Sequence, residues 1–186
     1  MTKMSLELGF SADQIQQRNT EIDRVAQRYG FTAVYNLDFP TTKLDLIPLT
    51  EIIQEISTIF HNISPEVVYL PFWGDVHSDH RVTFDAVLAC CKWFRQSSIK
   101  KILAYETLSE TEFGLFPESR AFEPSVFIDI TEFIDEKIAI AQLYQGEYGE
   151  FPFPRSKEAI LALAKFRGAT SGCLKAEAFI LLREII

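Results

Sequence analysis

The sequence is poor in cysteine, histidine and glycine, and no long apolar run interrupts it. Its 186 residues include three Cys, three His, two Met and eight Gly. The cysteines are Cys90, Cys91 and Cys173. An odd number without CxxC spacing excludes a disulfide framework and points to reduced thiols, as in a cytoplasmic protein. No stretch reaches the roughly 20 apolar residues that a bilayer-spanning helix needs. No secretory signal is visible at the start, where residues 1–8 run straight into a polar helix. There is no cluster of positive charge either. Eighteen Lys and Arg stand against 26 Asp and Glu, for a net charge of −8. That argues against a nucleic-acid binder and a polybasic membrane anchor. No Gly-rich phosphate loop is present, which argues against a nucleotide site of that kind. Asn62-Ile63-Ser64 spells a glycosylation sequon, but Pro65 follows it and nothing else suggests secretion.

What is present reads as alternating helix and strand. Ser11 and Gln14 have capping-box spacing, and the helix they open ends at Gly30. Ile15, Ile22, Val25, Ala26 and Tyr29 give it an apolar face. Residues 32–39 are β-branched and aromatic and predict a strand, closed by Pro40. A second helix starts near Pro48 and stops at Pro65. The apolar run 66–73 predicts a strand buried on both faces. A third helix is expected over 79–94, well covered because it is apolar nearly all round. Strands are expected at 101–108 and 125–130, with a loop rich in Glu, Gly and Pro at 109–124. Helices are expected at 131–147, 157–166 and 175–185, with Phe151-Pro152-Phe153-Pro154 as a rigid turn. The pattern predicts a single α/β domain over 1–186: a Rossmann-like parallel sheet with helices on both faces and a helical C-terminal part.

The chemistry concentrates in His77-Ser78-Asp79-His80. The run lies between an apolar strand and a helix, at the end of a sheet where α/β proteins place their sites. Asp75 adds a second carboxylate two residues upstream. His80 can act as a zinc ligand or simply as a helix N-terminal residue. His77 can be a ligand or can face a developing oxyanion. Asp79 can hold an imidazole by accepting its N–H, and a carboxylate is favoured at a helix N-terminus in any case. His61, the third histidine, falls at the end of a helix, where interaction with the C-terminal dipole accounts for it. Arg18 lies in a polar helix, and periodicity alone makes it a solvated residue.

The ordered set of motifs resembles the LmbE-like, or PIG-L, family of zinc-dependent N-deacetylases. His77-Ser78-Asp79-His80 looks like the family's H-x-D-H, and Arg18-Asn19-Thr20-Glu21 looks like its R-x-x-E. Asp38-Phe39-Pro40-Thr41-Thr42-Lys43-Leu44-Asp45 resembles the loop after the next strand. Residues 122–130, with Pro124 and Asp129, resemble a later strand. Arg167-Gly168, Gly172 and Ala176-Glu177-Ala178-Phe179 resemble the C-terminal signature. The resemblance implies removal of acetyl groups from amino sugars, commonly N-acetylglucosaminyl compounds, free or lipid-linked. It implies zinc bound by His80. His77 would stabilise the tetrahedral intermediate or protonate the leaving amine, and Asp79 would orient a histidine. It associates Arg18 with substrate binding, and Asp75 joins it as a candidate substrate contact.

One part of the pattern is absent. The family's remaining zinc ligands and its base belong to an H-P-D-D-E motif after the first strand, and this sequence contains none. The expectation is a chain lacking a first strand–helix–strand unit, beginning at an internal Met of a longer enzyme. It would bind zinc weakly and be inactive alone. A completing second chain, self-association through an open sheet edge, and a non-catalytic α/β binding or subunit module are the competing expectations.

Overall fold

The protein is described by a computed structural model covering residues 2–115 and 121–186. It forms two compact units, one of residues 1–40 and 128–177 and the other of 41–127 and 178–186.

In the first unit, helix α1 spans Ala12–Tyr29. The Ser11 hydroxyl accepts the Gln14 N–H, the Gln14 side chain accepts the Ser11 N–H, and Gly30 caps the far end. Both ends stand where the sequence places them. The apolar face stands too, apart from its last member, with Ile15, Ile22 and Ala26 half-buried. Val25 is buried and Tyr29 is exposed, stacked on exposed Phe31 at 5.1 Å. The other buried position belongs to Glu21, whose carboxylate accepts the Gln17 amide and the Gln145 N–H. A buried carboxylate is tolerable because it is hydrogen-bonded, and it narrows the apolar stripe. The strand expected at 32–39 shrinks to β2, Phe39–Pro40, which pairs in parallel with β1, Thr2–Lys3. Residues 31–36 are exposed and irregular. Strand propensity needs a neighbouring ladder to express itself, and among the described residues only Thr2 and Lys3 supply one. Helices α4, Ile134–Ala141, and α5, Lys157–Ser171, build the local core from Ile134, Ile138, Ile140, Ile160 and Ala164. α4 is much shorter than the expected 131–147, and α5 is longer than 157–166 because Ser156 caps it and it runs on to Gly172. Gly168 has a packing reason: a Cβ there would sit 2.7 Å from the Cys173 carbonyl oxygen.

In the second unit, helix α2, Leu49–Ile63, buries Ile52 and Ile56. Strand β3, Val67–Pro71, lies beside β4, Lys101–Tyr105, in parallel register. Helix α3 spans Ser78–Cys90. The four-stranded sheet has the order β3-β4-β6-β5, where β5 is Val126–Asp129 and β6 is Ala176–Glu184.

Three expectations are corrected here. First, the sheet is mixed, because β6 pairs antiparallel with β4. Secondly, residues 175–185 form that strand and not a helix. Non-local pairing with Lys101–Tyr105, in a ladder whose register shifts between Ile102 and Leu103, decides the segment. Thirdly, β3 is not buried on both faces. Val68 and Leu70 are buried, whereas Val67 and Tyr69 are 44% and 51% exposed. β3 stands at the end of the strand order and alternates as a half-covered strand does. α3 likewise ends four residues early, leaving Trp93 and Phe94 exposed.

Cys90 and Cys91 are buried free thiols, as small apolar residues would be. Burial pushes both up, Cys91 from its ordinary 9.0 to about 11. The unfolded chain therefore releases the Cys91 proton first. Stability is expected to fall as pH rises from near 9.0 towards 11, by on the order of 2 kcal/mol. Denaturant titration of the wild type and Cys91→Ala across that window checks this. A parallel pH slope in both would refute it.

Candidate active site

The site is built where β3 gives way to α3. After Pro71 the chain buries Phe72 and turns through Gly74-Asp75-Val76 into His77, the N-cap of α3. His77 has an extended backbone, and its Nδ1 accepts the Asp79 N–H at 3.1 Å. The side chain thus satisfies one of the orphan donors of the helix start, a task usually left to Ser, Thr, Asp or Asn.

Asp79 faces the other way. Its Oδ2 accepts the Thr42 N–H at 2.7 Å and its Oδ1 accepts the Leu44 N–H at 3.1 Å. It is 5% exposed. Asp79 therefore pins the loop 41–45, whose Leu44 is completely buried, to the first turn of α3. Among the described residues its carboxylate makes no hydrogen bond to either imidazole; only its backbone N–H reaches His77.

The histidine-holding carboxylate is Asp75. Its side chain is fully buried, and its Oδ2 lies 2.7 Å from His80 Nδ1. Its Oδ1 accepts the Thr111 hydroxyl at 2.6 Å. Each oxygen has a partner and the side chain is fully buried, so in this structure Asp75 orients a ring. The His77 and His80 rings lie stacked, 5.1 Å between centroids and 16° between planes. The Arg81 guanidinium donates to the carbonyls of Asp75 and Val76 and fixes the turn. Tyr105, at the end of β4, has its phenol pushed up by burial and further by the Asp75 charge, so it is held neutral.

The loop after β4 closes on this turn. The Glu110 carbonyl accepts the Val76 N–H at 3.1 Å. A Cβ at Gly114 would lie 2.0 Å from the Gly74 carbonyl oxygen. Only a residue without a side chain permits that approach. Gly114→Ala is expected to cost about 1–3 kcal/mol, as overpacking does, read as a lowered denaturation midpoint. An unchanged midpoint would show that the loop shifts freely. Residues 116–120, in the middle of the loop expected to cover the site, lie outside the described residues.

The other candidates lie as follows. Arg18 is in the first unit. It pairs with Glu147 and, at 3.6 Å, with Glu21, and it lies over the Tyr144 ring at 5.2 Å. The solvated reading of Arg18 is thus corrected by Glu147 and Tyr144, both distant in sequence, and by Glu21 one turn on. His61 is exposed in the last turn of α2, where helix polarity accounts for it. Asp129 accepts both the N–H and the hydroxyl of Thr131, which holds its carboxyl below the usual range. Thr111 was not legible as a site residue. A lone threonine in a Glu-rich loop carries no signal.

A zinc site takes three or four side-chain donors. Among the described residues no three His, Cys, Asp or Glu side chains converge to hold an ion. His80 has the form of one ligand, since a carboxylate holding Nδ1 leaves Nε2 to coordinate. The residues present fit one ligand position and not a whole site. The chemistry derivable from this chain is that of its own imidazoles. Among the described residues no helix is long and apolar enough to cross a membrane.

A sequence model described as PIG-L, GlcNAc-PI de-N-acetylase, matches residues 3–91. Among solved structures, the conserved protein TT1542 of Thermus thermophilus aligns over 99% of this chain and 80% of its own, at 21% identity and a TM-score of 0.74. The N,N'-diacetylchitobiose deacetylase of Pyrococcus horikoshii aligns over 91% of this chain and 64% of its own, at 17% identity and a TM-score of 0.71. GalB, the 4-carboxy-2-hydroxymuconate hydratase of Pseudomonas putida, aligns over 94% and 75%, at 15% identity and a TM-score of 0.65. At these identities the likeness is one of fold, and the fold carries a hydratase as well as a deacetylase.

Proposed function

We propose that this chain, which belongs to the PIG-L/LmbE-like deacetylase family, forms the His77–His80 side of an amide-hydrolase site that removes acetyl from an N-acetylated amino sugar. The single observation that carries this reading is the buried Asp75 carboxylate at 2.7 Å from His80 Nδ1. A fully buried carboxylate aligned on a partly exposed imidazole at the end of a strand is the arrangement that fixes one ring nitrogen for chemistry. The zinc of the family would supply Lewis-acid activation of water, with His80 as one of its ligands.

The chain's own residues do the rest. Asp75 sets the His80 ring. His77 receives the Asp79 N–H on Nδ1, so its proton sits on Nε2, and that N–H is free to donate to the oxygen of a tetrahedral intermediate. A second proton on Nδ1 would break the capping bond. The oxyanion role is therefore favoured over that of a permanently charged acid. Arg18 keeps its proposed place as a substrate contact on the strength of the family pattern, since Glu147, Glu21 and Tyr144 engage it in this structure.

The test is acetate release. The purified protein, supplied with zinc, is incubated with N-acetylglucosaminyl compounds, and free acetate is measured alongside bound metal. Release that disappears in His80→Ala supports the reading. Release indifferent to that change overturns it. The incomplete donor set favours a second reading, a non-catalytic module completed by a partner. That reading predicts neither zinc nor acetate, and a stable heteromeric species on size-exclusion chromatography.

A further inference from the structure

We propose that Thr111 is a positioning residue for His80, acting through Asp75 to fix which nitrogen of the imidazole carries the proton. The inference rests on the reading of His80 as a functional imidazole.

Hydrogen-bond accounting makes the argument. The Thr111 hydroxyl has one hydrogen and two lone pairs. Its oxygen accepts the Thr107 N–H at 2.8 Å. Its hydrogen then goes to Asp75 Oδ1, 2.6 Å away. Asp75 is completely buried, so no bulk water competes for that oxygen. With Oδ1 occupied by a donor, Oδ2 is left as the acceptor facing His80 Nδ1 at 2.7 Å. The proton of the neutral His80 ring therefore resides on Nδ1, and Nε2 presents a bare lone pair. That is the form a Lewis acid or an acidic proton requires.

The rest of the loop holds Thr111 in place. The Glu110 carbonyl accepts the Val76 N–H, and Gly114 packs directly on the Gly74 carbonyl. The hydroxyl is thus delivered by a segment anchored on both sides of the Asp75 turn. Without it, Oδ1 is a buried acceptor lacking its donor, a costly state. The carboxylate is then free to rotate, which releases the His80 ring from a single tautomer.

The chain has only three histidines, so their ring nitrogens are resolvable by long-range proton–nitrogen NMR. The experiment compares wild type, Thr111→Val and Thr111→Ser at pH 8.5. The wild type is expected to show His80 with a protonated Nδ1 and a bare Nε2. Thr111→Val is expected to lose that single-tautomer signature and give averaged nitrogen shifts. Thr111→Ser, which keeps the hydroxyl, is expected to retain it. A merely structural threonine would show the opposite ranking, because valine keeps the shape and serine does not. Should Thr111→Val fail to fold, Thr111→Ala removes the same hydroxyl without the branched replacement. The wild type also decides by itself, since an Nε2–H tautomer at His80 overturns the inference. So does an unchanged His80 signature in the folded hydroxyl-less variant. The outcome separates from that of the proposed function. If His80→Ala abolishes acetate release while Thr111→Val leaves the tautomer intact, this inference fails and the deacetylase reading stands. If no acetate is released but the tautomer follows the hydroxyl, the reverse holds.

Discussion

In an enzyme whose zinc site is complete, replacing His77 with alanine is expected to slow acetate release by roughly 10²–10³-fold while leaving bound zinc unchanged. That magnitude is typical of removing one preorganised oxyanion donor. His77 spends Nδ1 on the Asp79 N–H, so only its Nε2 side is available to a reacting group. The residue therefore has two separable duties, capping α3 and donating a hydrogen bond. Alanine removes both, and loss of the cap alone costs about 0.5–2 kcal/mol of stability. Asparagine separates them, because it is among the best N-caps. His77→Asn is expected to recover the melting temperature and not the rate. Zinc lost in proportion to rate would make His77 a ligand instead. Full activity in His77→Asn would reduce it to a cap.

Asp79→Ala is expected to be the most damaging single change to stability near the site, at about 2–4 kcal/mol. The carboxylate accepts two backbone N–H groups, from Thr42 and Leu44. Hydrogen bonds to a charged group contribute about 1.5–3 kcal/mol, and a buried donor left unpaired costs about 1–3 kcal/mol. The two contributions overlap, since freed N–H groups find water once the loop loosens. Loop 41–45 carries Leu44, one of the most completely buried side chains of the second unit. Its release therefore exposes apolar surface as well. Asp79→Asn keeps one acceptor oxygen and turns an N–H pair towards a donor, so it is expected to recover about half the loss. Equilibrium denaturation of the three proteins checks the order. An Asp79→Ala protein as stable as the wild type would show that the loop is held by Leu44 alone.

The sequence alone carried some of this clearly. The Ser11–Gln14 box and Gly30 delimit α1 because capping is a local matter of side chain against the nearest backbone. Pro48 and Pro65 bracket α2 for the same kind of reason. Cys90 and Cys91 lie in the core because they sit in an apolar stretch. His77 and His80 come together at a strand-to-helix turn because residues on a first helical turn cannot be far apart. In each case the decisive contacts lie within a few positions of the residue concerned.

Tertiary structure decided what depended on distant partners. The segment Ala176–Glu184 has no local feature that distinguishes a strand from a helix, and its fate was set by a ladder with β4, far upstream in the chain. The extended-looking residues 31–36 found no such ladder. The two aspartates exchanged roles for the same reason. Sequence placed Asp79 next to the histidines and so made it the ring-holder, but its first-turn direction carries it to the Thr42 and Leu44 amides. Asp75 becomes the ring-holder because the turn after β3 folds it back, buried, against His80, with Thr111 from a remote loop completing its hydrogen bonds. Which residues can do chemistry was fixed by composition and spacing. Which one orients which was fixed by burial, where a carboxylate must find donors wherever the fold supplies them.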